Sequence, residues 1–376
     1  MKLFKSLLVA PALLGFLTPM TAQSSEIDLG TISNYNQYKI DLDSNSFEPN
    51  SDKNSVLLSG GEGLVEESVD ESYVDESYVD GTSFSETTSA SFGSTFYVGS
   101  VENGSEGEAT SFTYDFALDL STSFTGEDSL DVAIIGGNAS TTSVDAIMGG
   151  DGTSDYLMLD GVSYTFPLGS ATVIVGDGVG PDDMNTGACA YSAFTDLLGD
   201  CGSNNVGGSG DSGFAIGYDF GNGFTLAGGA AGGVGDTGET DGLFTEEDAS
   251  SFGIEAAYTA DTYGFSVAYT DDEATTYWSL QAMVAPEGFP SISVGYETDD
   301  DDADAIFAGL TFEEVGPGSV SLGMASTGTD ADDYYQYELS YSYPLNDGMT
   351  ITPGVFITET AGEDETGVVV TTSFSF

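Results

Sequence analysis

Arginine and histidine are absent from this chain, and its four lysines stand against 63 aspartates and glutamates. The last lysine is Lys53, so no later side chain is positive at neutral pH. That excludes several functions at once. Nucleic-acid binding needs a basic footprint, so nucleic acid is not an expected partner. Triads and metal sites that depend on histidine cannot form. Phosphate clamps built from Arg or Lys side chains cannot form beyond Lys53. Cysteine is scarce, with only Cys189 and Cys201. Beyond Ala22 no run of about 18 apolar residues occurs, which excludes membrane-spanning helices.

What is present points to an ordered protein. The net charge is −59, yet charged residues make up only 18% of the chain, beside 23 Phe, 20 Tyr and 51 Gly. A disordered acidic tail would be poor in aromatic residues. Residues 1–22 read as an export signal: Lys2 and Lys5 precede the apolar stretch Leu7 to Leu17, and Pro19-Met20-Thr21-Ala22 offers a cleavage site. Residues 23–90 are acidic and weakly periodic, with Glu71-Ser72-Tyr73-Val74-Asp75 repeated as Glu76-Ser77-Tyr78-Val79-Asp80. They read as a solvated, mostly disordered linker. A docking peptide for a periplasmic partner is the other reading.

From residue 91 to residue 376 the pattern has period two. Phe112, Tyr114, Phe116, Leu118 and Leu120 alternate with Thr113, Asp115, Ala117 and Asp119. Phe214, Ile216, Tyr218 and Phe220 do the same, as do Phe252, Ile254, Ala256 and Tyr258, and Tyr335 through Tyr343. Such alternation marks strands with one apolar and one polar face. Sixteen segments of this kind occur, from 92–99 to 366–376. Short turns such as Gly221-Asn222-Gly223 and Gly316-Pro317-Gly318 alternate with the longer connections 138–154, 177–211 and 231–248. The expected fold is all-β: a transmembrane antiparallel β-barrel of about 16 strands with an inward-folded third loop, 177–211. The last strand puts Val368, Val370, Thr372, Phe374 and Phe376 on one face. A terminal aromatic of this kind, Phe374 with Phe376, is similar to the signal read by the barrel assembly machinery. Outer-membrane lipid is then a partner.

The opening Lys2-Leu3-Phe4 with Leu7 to Ala12 resembles the leader of porins from marine unicellular cyanobacteria. Val179-Gly180-Pro181, Asp183-Met184 and Ala190-Tyr191 are similar to that family's pore-loop segment. Those porins belong to the carbohydrate-selective, OprB-like group, which includes iron-uptake porins. The resemblance implies a sixteen-stranded, trimeric, passive pore. The chain departs from the family twice. Residues 23–90 are too short for the usual S-layer-homology domain and coiled coil, and no basic residue is available at the constriction.

Cys189 and Cys201 flank a stretch, Ala190 to Asp200, whose Tyr191, Phe194, Leu197 and Leu198 stand at helical spacing. In an exported chain they read as a disulfide. A redox or metal pair would need a further Cys or a His. The alternation places Asp115, Asp119, Asp219, Glu255, Glu297, Glu313 and Glu338 on polar faces, as pore-lining candidates. Asp182, Asp183, Asp196 and Asp200 fall on the pore loop. Rings of carboxylates select cations, so the lumen is expected to prefer them. Asp299, Asp300, Asp301 and Asp302 form an acidic run on an outer loop. It could hold Ca²⁺ or Mg²⁺ weakly, and no other cofactor is expected. The expected function is an outer-membrane channel for ions, sugars and other small hydrophilic solutes, not an enzyme. The alternative is a non-conducting acidic barrel used for adhesion or structure.

Overall fold

The computed structural model describes residues 88–104, 109–139, 142–150, 152–203, 206–207, 212–233, 250–300, 303–326 and 334–375. The leader, the acidic segment with its repeat up to residue 87, Asp301, Asp302 and Phe376 lie outside the described residues.

Sixteen strands follow one another. β1 is Thr88–Glu102, β2 Ser111–Thr122, β3 Ser129–Gly137 and β4 Met158–Leu168. β5 is Ala171–Asp177, β6 Ser212–Asp219, β7 Phe224–Gly232 and β8 Ser251–Ala260. β9 is Tyr263–Asp271, β10 Thr276–Val284, β11 Ser291–Asp299 and β12 Asp304–Val315. β13 is Gly318–Ser326, β14 Tyr335–Asn346, β15 Met349–Thr358 and β16 Glu365–Ser375. Each strand pairs antiparallel with its chain neighbours, and β1 closes on β16 from Gly93 opposite Ser375 to Glu102 opposite Thr366. Closure leaves no unpaired sheet edge. The count and order are those the period-two pattern predicts, with β1 starting earlier than the alternation suggests.

The alternation sorts side chains between two environments. Phe112, Ile254 and Leu280 face outward and are 61%, 51% and 52% exposed, whereas their neighbours Thr113, Glu255 and Ser279 face inward and are buried. Outward-facing aromatics gather at both ends of the barrel. Tyr218 with Phe220 and Phe224 with Tyr258 mark the short-turn end, at ring separations of 4.7 and 4.6 Å. Tyr269 with Trp278 marks the long-loop end, at 4.8 Å.

The short turns carry their own chemistry. Gly221 has φ 74°, a left-handed conformation that favours glycine. Between β2 and β3, Asp128 accepts from the Phe124 and Thr125 amides at 2.9 and 2.8 Å and from the Tyr164 hydroxyl at 2.6 Å. The Tyr164 hydroxyl, then the Thr125 amide, hold the Asp128 carboxyl well below the usual carboxylate range, against the opposing effect of burial.

Two long connections fold into the lumen. The one between β3 and β4 carries a short helix, α1, Ser143–Met148. Thr142 and Asp145 cap it reciprocally, and Gly149 ends it with φ 64°. Asp145 also accepts from the inward-facing Thr113 hydroxyl. Val144 of α1 packs with Tyr97, Val101, Phe356 and Val369 from the inner faces of β1, β15 and β16. A small apolar core therefore lies inside the barrel on that side. The second inward connection is the one between β5 and β6.

Candidate functional site

The β5–β6 connection runs across the inner wall from β8 to β14. Its middle is extended, so the N–H groups of every second residue face the wall. Ala188 donates to Gln281 Oε1 on β10 at 2.8 Å, and Ala190 to Ser293 Oγ on β11 at 2.9 Å. Ser192 donates to Thr311 Oγ1 on β12 at 3.3 Å, and Phe194 to Glu338 Oε1 on β14 at 2.8 Å. The loop thus meets successive strands rung by rung. This is why the helix suggested by the spacing of Tyr191, Phe194, Leu197 and Leu198 does not form across the whole stretch. Its amides are committed to the wall, and a 3₁₀ segment begins only at Asp196, spanning Asp196–Gly202 with a kink at Gly199 to Cys201.

Three glutamates take most of the remaining donors. Glu255 on β8 accepts from the Thr186 amide at 2.8 Å and from the Gly187 amide at 3.0 Å. Glu297 on β11 accepts from the Val206 amide at 3.0 Å. Glu338 accepts from the Tyr191 hydroxyl at 2.7 Å, the Thr195 amide at 2.8 Å and the Thr195 hydroxyl at 2.5 Å, besides Phe194. Buried charge is costly unless it is hydrogen-bonded, and bonds to a charged acceptor contribute about 1.5–3 kcal/mol each. Backbone amides fill the role that a cation would otherwise take.

Inward-facing glycines make room for the loop. A Cβ at Gly354 would overlap the Phe194 ring, and one at Gly309 or Gly323 would overlap Tyr191. Tyr191 lies against Phe307, 5.1 Å between ring centres. Cys189 and Cys201 are joined, with their Cα atoms 5.9 Å apart. Cys201 is fully buried with Leu198, Phe307 and Ala325. The disulfide therefore ties together the two ends of the stretch that Glu338 grips.

The candidate carboxylates do not share one surface. Glu255, Glu297 and Glu338 lie beneath the loop, only 4%, 3% and 2% exposed. Asp119 on β2 and Asp183 on the loop instead line a cavity of about 410 Å³, together with Asp131, Asp160 and Asp177. Asp115 lies near the inner core, accepting from the Thr95 amide at 3.1 Å and the Tyr97 hydroxyl at 2.5 Å. Asp219 caps a short turn through the Gly221 amide at 2.7 Å, and Glu313 is exposed where β12 bulges at the rim. On the loop, burial pushes the Asp182 carboxyl up, helped by the nearby charges of Asp183, Asp200 and Glu255. Asp196 lies against Gly149 at the end of α1, and the Asp200 carbonyl accepts from Gln281 Nε2 at 2.6 Å. In the acidic run, Asp299 accepts from the Ala303 amide and Asp300 from the Thr276 amide, at 2.8 and 2.9 Å. Among the described residues no three Cys, Asp or Glu side chains come together as a metal site.

The lumen is therefore divided. One part is filled by the β5–β6 loop and α1. The other part holds, along β2 to β5, a cavity whose lining includes five aspartates. No protein-family model and no curated protein matches the sequence. Solved structures do match. The chain has the porin fold. It aligns with OprB of Pseudomonas putida at 13% identity and a TM-score of 0.59, covering 77% of this chain and 94% of that one. The anion-selective porin of Comamonas acidovorans aligns at 16% identity and a TM-score of 0.55, over 77% of this chain and all of that one. A Vibrio cholerae OmpT lacking its loop L8 aligns at 11% identity and a TM-score of 0.57, with the same coverage.

Sequence reasoning missed Asp131, Asp160 and Asp177. The signal for Asp131 existed, since Ser129, Asp131 and Ala133 alternate with Leu130, Val132 and Ile134. Asp160 sits where the β3–β4 register shifts, so its facing is hidden from a period-two count. The neutral seats Gln281, Ser293 and Thr311 had no signal at all.

Proposed function

We propose that this protein is an outer-membrane porin whose passage runs along the aspartate-lined half of the lumen and prefers cations. The observation that carries the reading is the β5–β6 loop folded into a sixteen-stranded barrel, where it covers the inner wall from β8 to β14. A barrel of that size leaves an aqueous channel. The outward apolar face, with aromatic rings at both ends, suits a bilayer. Cation preference is supported by composition: Asp119, Asp131, Asp160, Asp177 and Asp183 line the cavity, and no positive side chain follows Lys53 to offset them. The anion-selective porin of Comamonas acidovorans has the same fold, so the reading of cation preference rests on the lining and not on the fold. The solutes are small and hydrophilic: inorganic cations, with neutral sugars passing by size. Assembly by the barrel machinery and a homotrimeric state belong to the same reading.

The test is a planar bilayer containing the purified barrel under a KCl gradient. Stepwise conductance with a reversal potential of cation-selective sign is expected. Conductance without selectivity would remove the charge argument and keep the pore. A folded barrel that carries no current would leave the non-conducting alternative.

A further inference from the structure

Among the described residues, the loop in the lumen is held without a cationic side chain. We propose that Glu255, Glu297 and Glu338 are positioning residues that set the width of the passage by gripping the loop through its donors. The inference rests on the channel reading above.

Three observations carry it. First, these carboxylates are almost wholly buried, and each accepts hydrogen bonds from donors of the loop. Second, the grips are spread along the loop. Glu255 takes residues 186 and 187, Glu338 takes 191, 194 and 195, and Glu297 takes 206. Three separated points on β8, β14 and β11 fix a segment against sliding and lifting. Third, the grips are all glutamates, whereas the carboxylates of the cavity are all aspartates. The longer side chain reaches the loop backbone from the wall. Removing one grip frees its own stretch of loop and leaves the others attached.

The test uses the full chain with Glu255→Gln, Glu338→Gln and Glu338→Asp, and Asp131→Asn as a lining control. Two readouts are taken: single-channel current, and cleavage of the folded barrel by chymotrypsin. Chymotrypsin is chosen because the loop offers Tyr191, Phe194 and Leu198, whereas trypsin has no site after Lys53. Folding is checked by heat-modifiable migration. Glu338→Gln is expected to speed cleavage between Tyr191 and Leu198 at least tenfold and to add closures and noise to the open current. Glu338→Asp should recover part of the wild-type behaviour. Asp131→Asn should move the reversal potential without either effect. A folded Glu338→Gln barrel with wild-type cleavage and wild-type current noise would overturn the proposal. If that variant does not fold, Glu255→Gln, which disturbs only the Thr186 and Gly187 bonds, decides it by the same two readouts. A silent wild type with faster cleavage in the variants would sink the channel reading while the grips stand.

Discussion

The two halves of the lumen use the same chemical group for opposite ends. Along β8 to β14, Glu255, Glu297 and Glu338 are covered by a loop, buried and hydrogen-bonded to its donors. Along β2 to β5 they face a cavity of about 410 Å³ and have few partners. What differs is whether a backbone segment with free N–H groups lies on top. A carboxylate opposite such a segment becomes a fastener. One opposite the cavity would, in the proposed channel, keep its charge available to ions. Charge counted from sequence therefore overstates what the passage feels, because Glu255, Glu297 and Glu338 are already engaged.

The contrast can be broken from the covered side first. Glu338→Leu removes the acceptor for four donors on Tyr191, Phe194 and Thr195. At about 1–3 kcal/mol per buried donor left unpaired, local opening should become easier by several kcal/mol. Hydrogen exchange at the Phe194 and Thr195 amides should accelerate by two orders of magnitude or more, and unchanged protection would contradict the account. Replacing both cysteines by serine should cost roughly 3 kcal/mol in the chain-entropy model, read as earlier loss of loop protection in denaturant. Gly354→Ala puts a methyl group into the Phe194 ring. Overpacking of this kind costs about 1–3 kcal/mol, and the melting temperature should fall.

The open side should respond differently. Asp119→Asn, Asp131→Asn and Asp160→Asn together should shift the reversal potential toward zero. Their effect on stability should stay within about 0.5 kcal/mol, as for surface changes. The smallest effect belongs to a third region, the β2–β3 turn. The Asp128 carboxyl is held low in the folded barrel, so its stabilisation is complete above about pH 4, the ordinary carboxylate value. It fades as pH falls further, because protonation then favours the unfolded chain. An acid titration of wild type against Asp128→Asn should show the two converging below pH 4 and parted above it.

How much of this the sequence reveals depends on periodicity. The barrel is legible because each strand must put apolar side chains outward every second residue, and a run such as Phe252 to Tyr258 leaves little choice. The inward facing of Glu255 and Glu338 follows from the same rule. Their burial does not, because it depends on a loop that runs across the wall from β8 to β14, far away in sequence: Thr195 meets Glu338 across 143 positions. The helical spacing from Tyr191 to Leu198 misleads for the same reason. Local pattern suggests a helix, and distant acceptors on the wall pull the backbone straight. Asp160 is hidden by a register shift, and the glycine seats at Gly309, Gly323 and Gly354 look like ordinary strand glycines until Tyr191 and Phe194 are placed against them.

The wall holds the loop mainly by its amide groups, which every residue except proline supplies. Side chains of the loop that point toward the water contribute little to that attachment. On the proposed channel reading, such a mounting lets mutation rewrite the water-facing surface of the loop while the bracket stays unchanged, so that a lineage, or an engineer, could change selectivity without rebuilding the barrel.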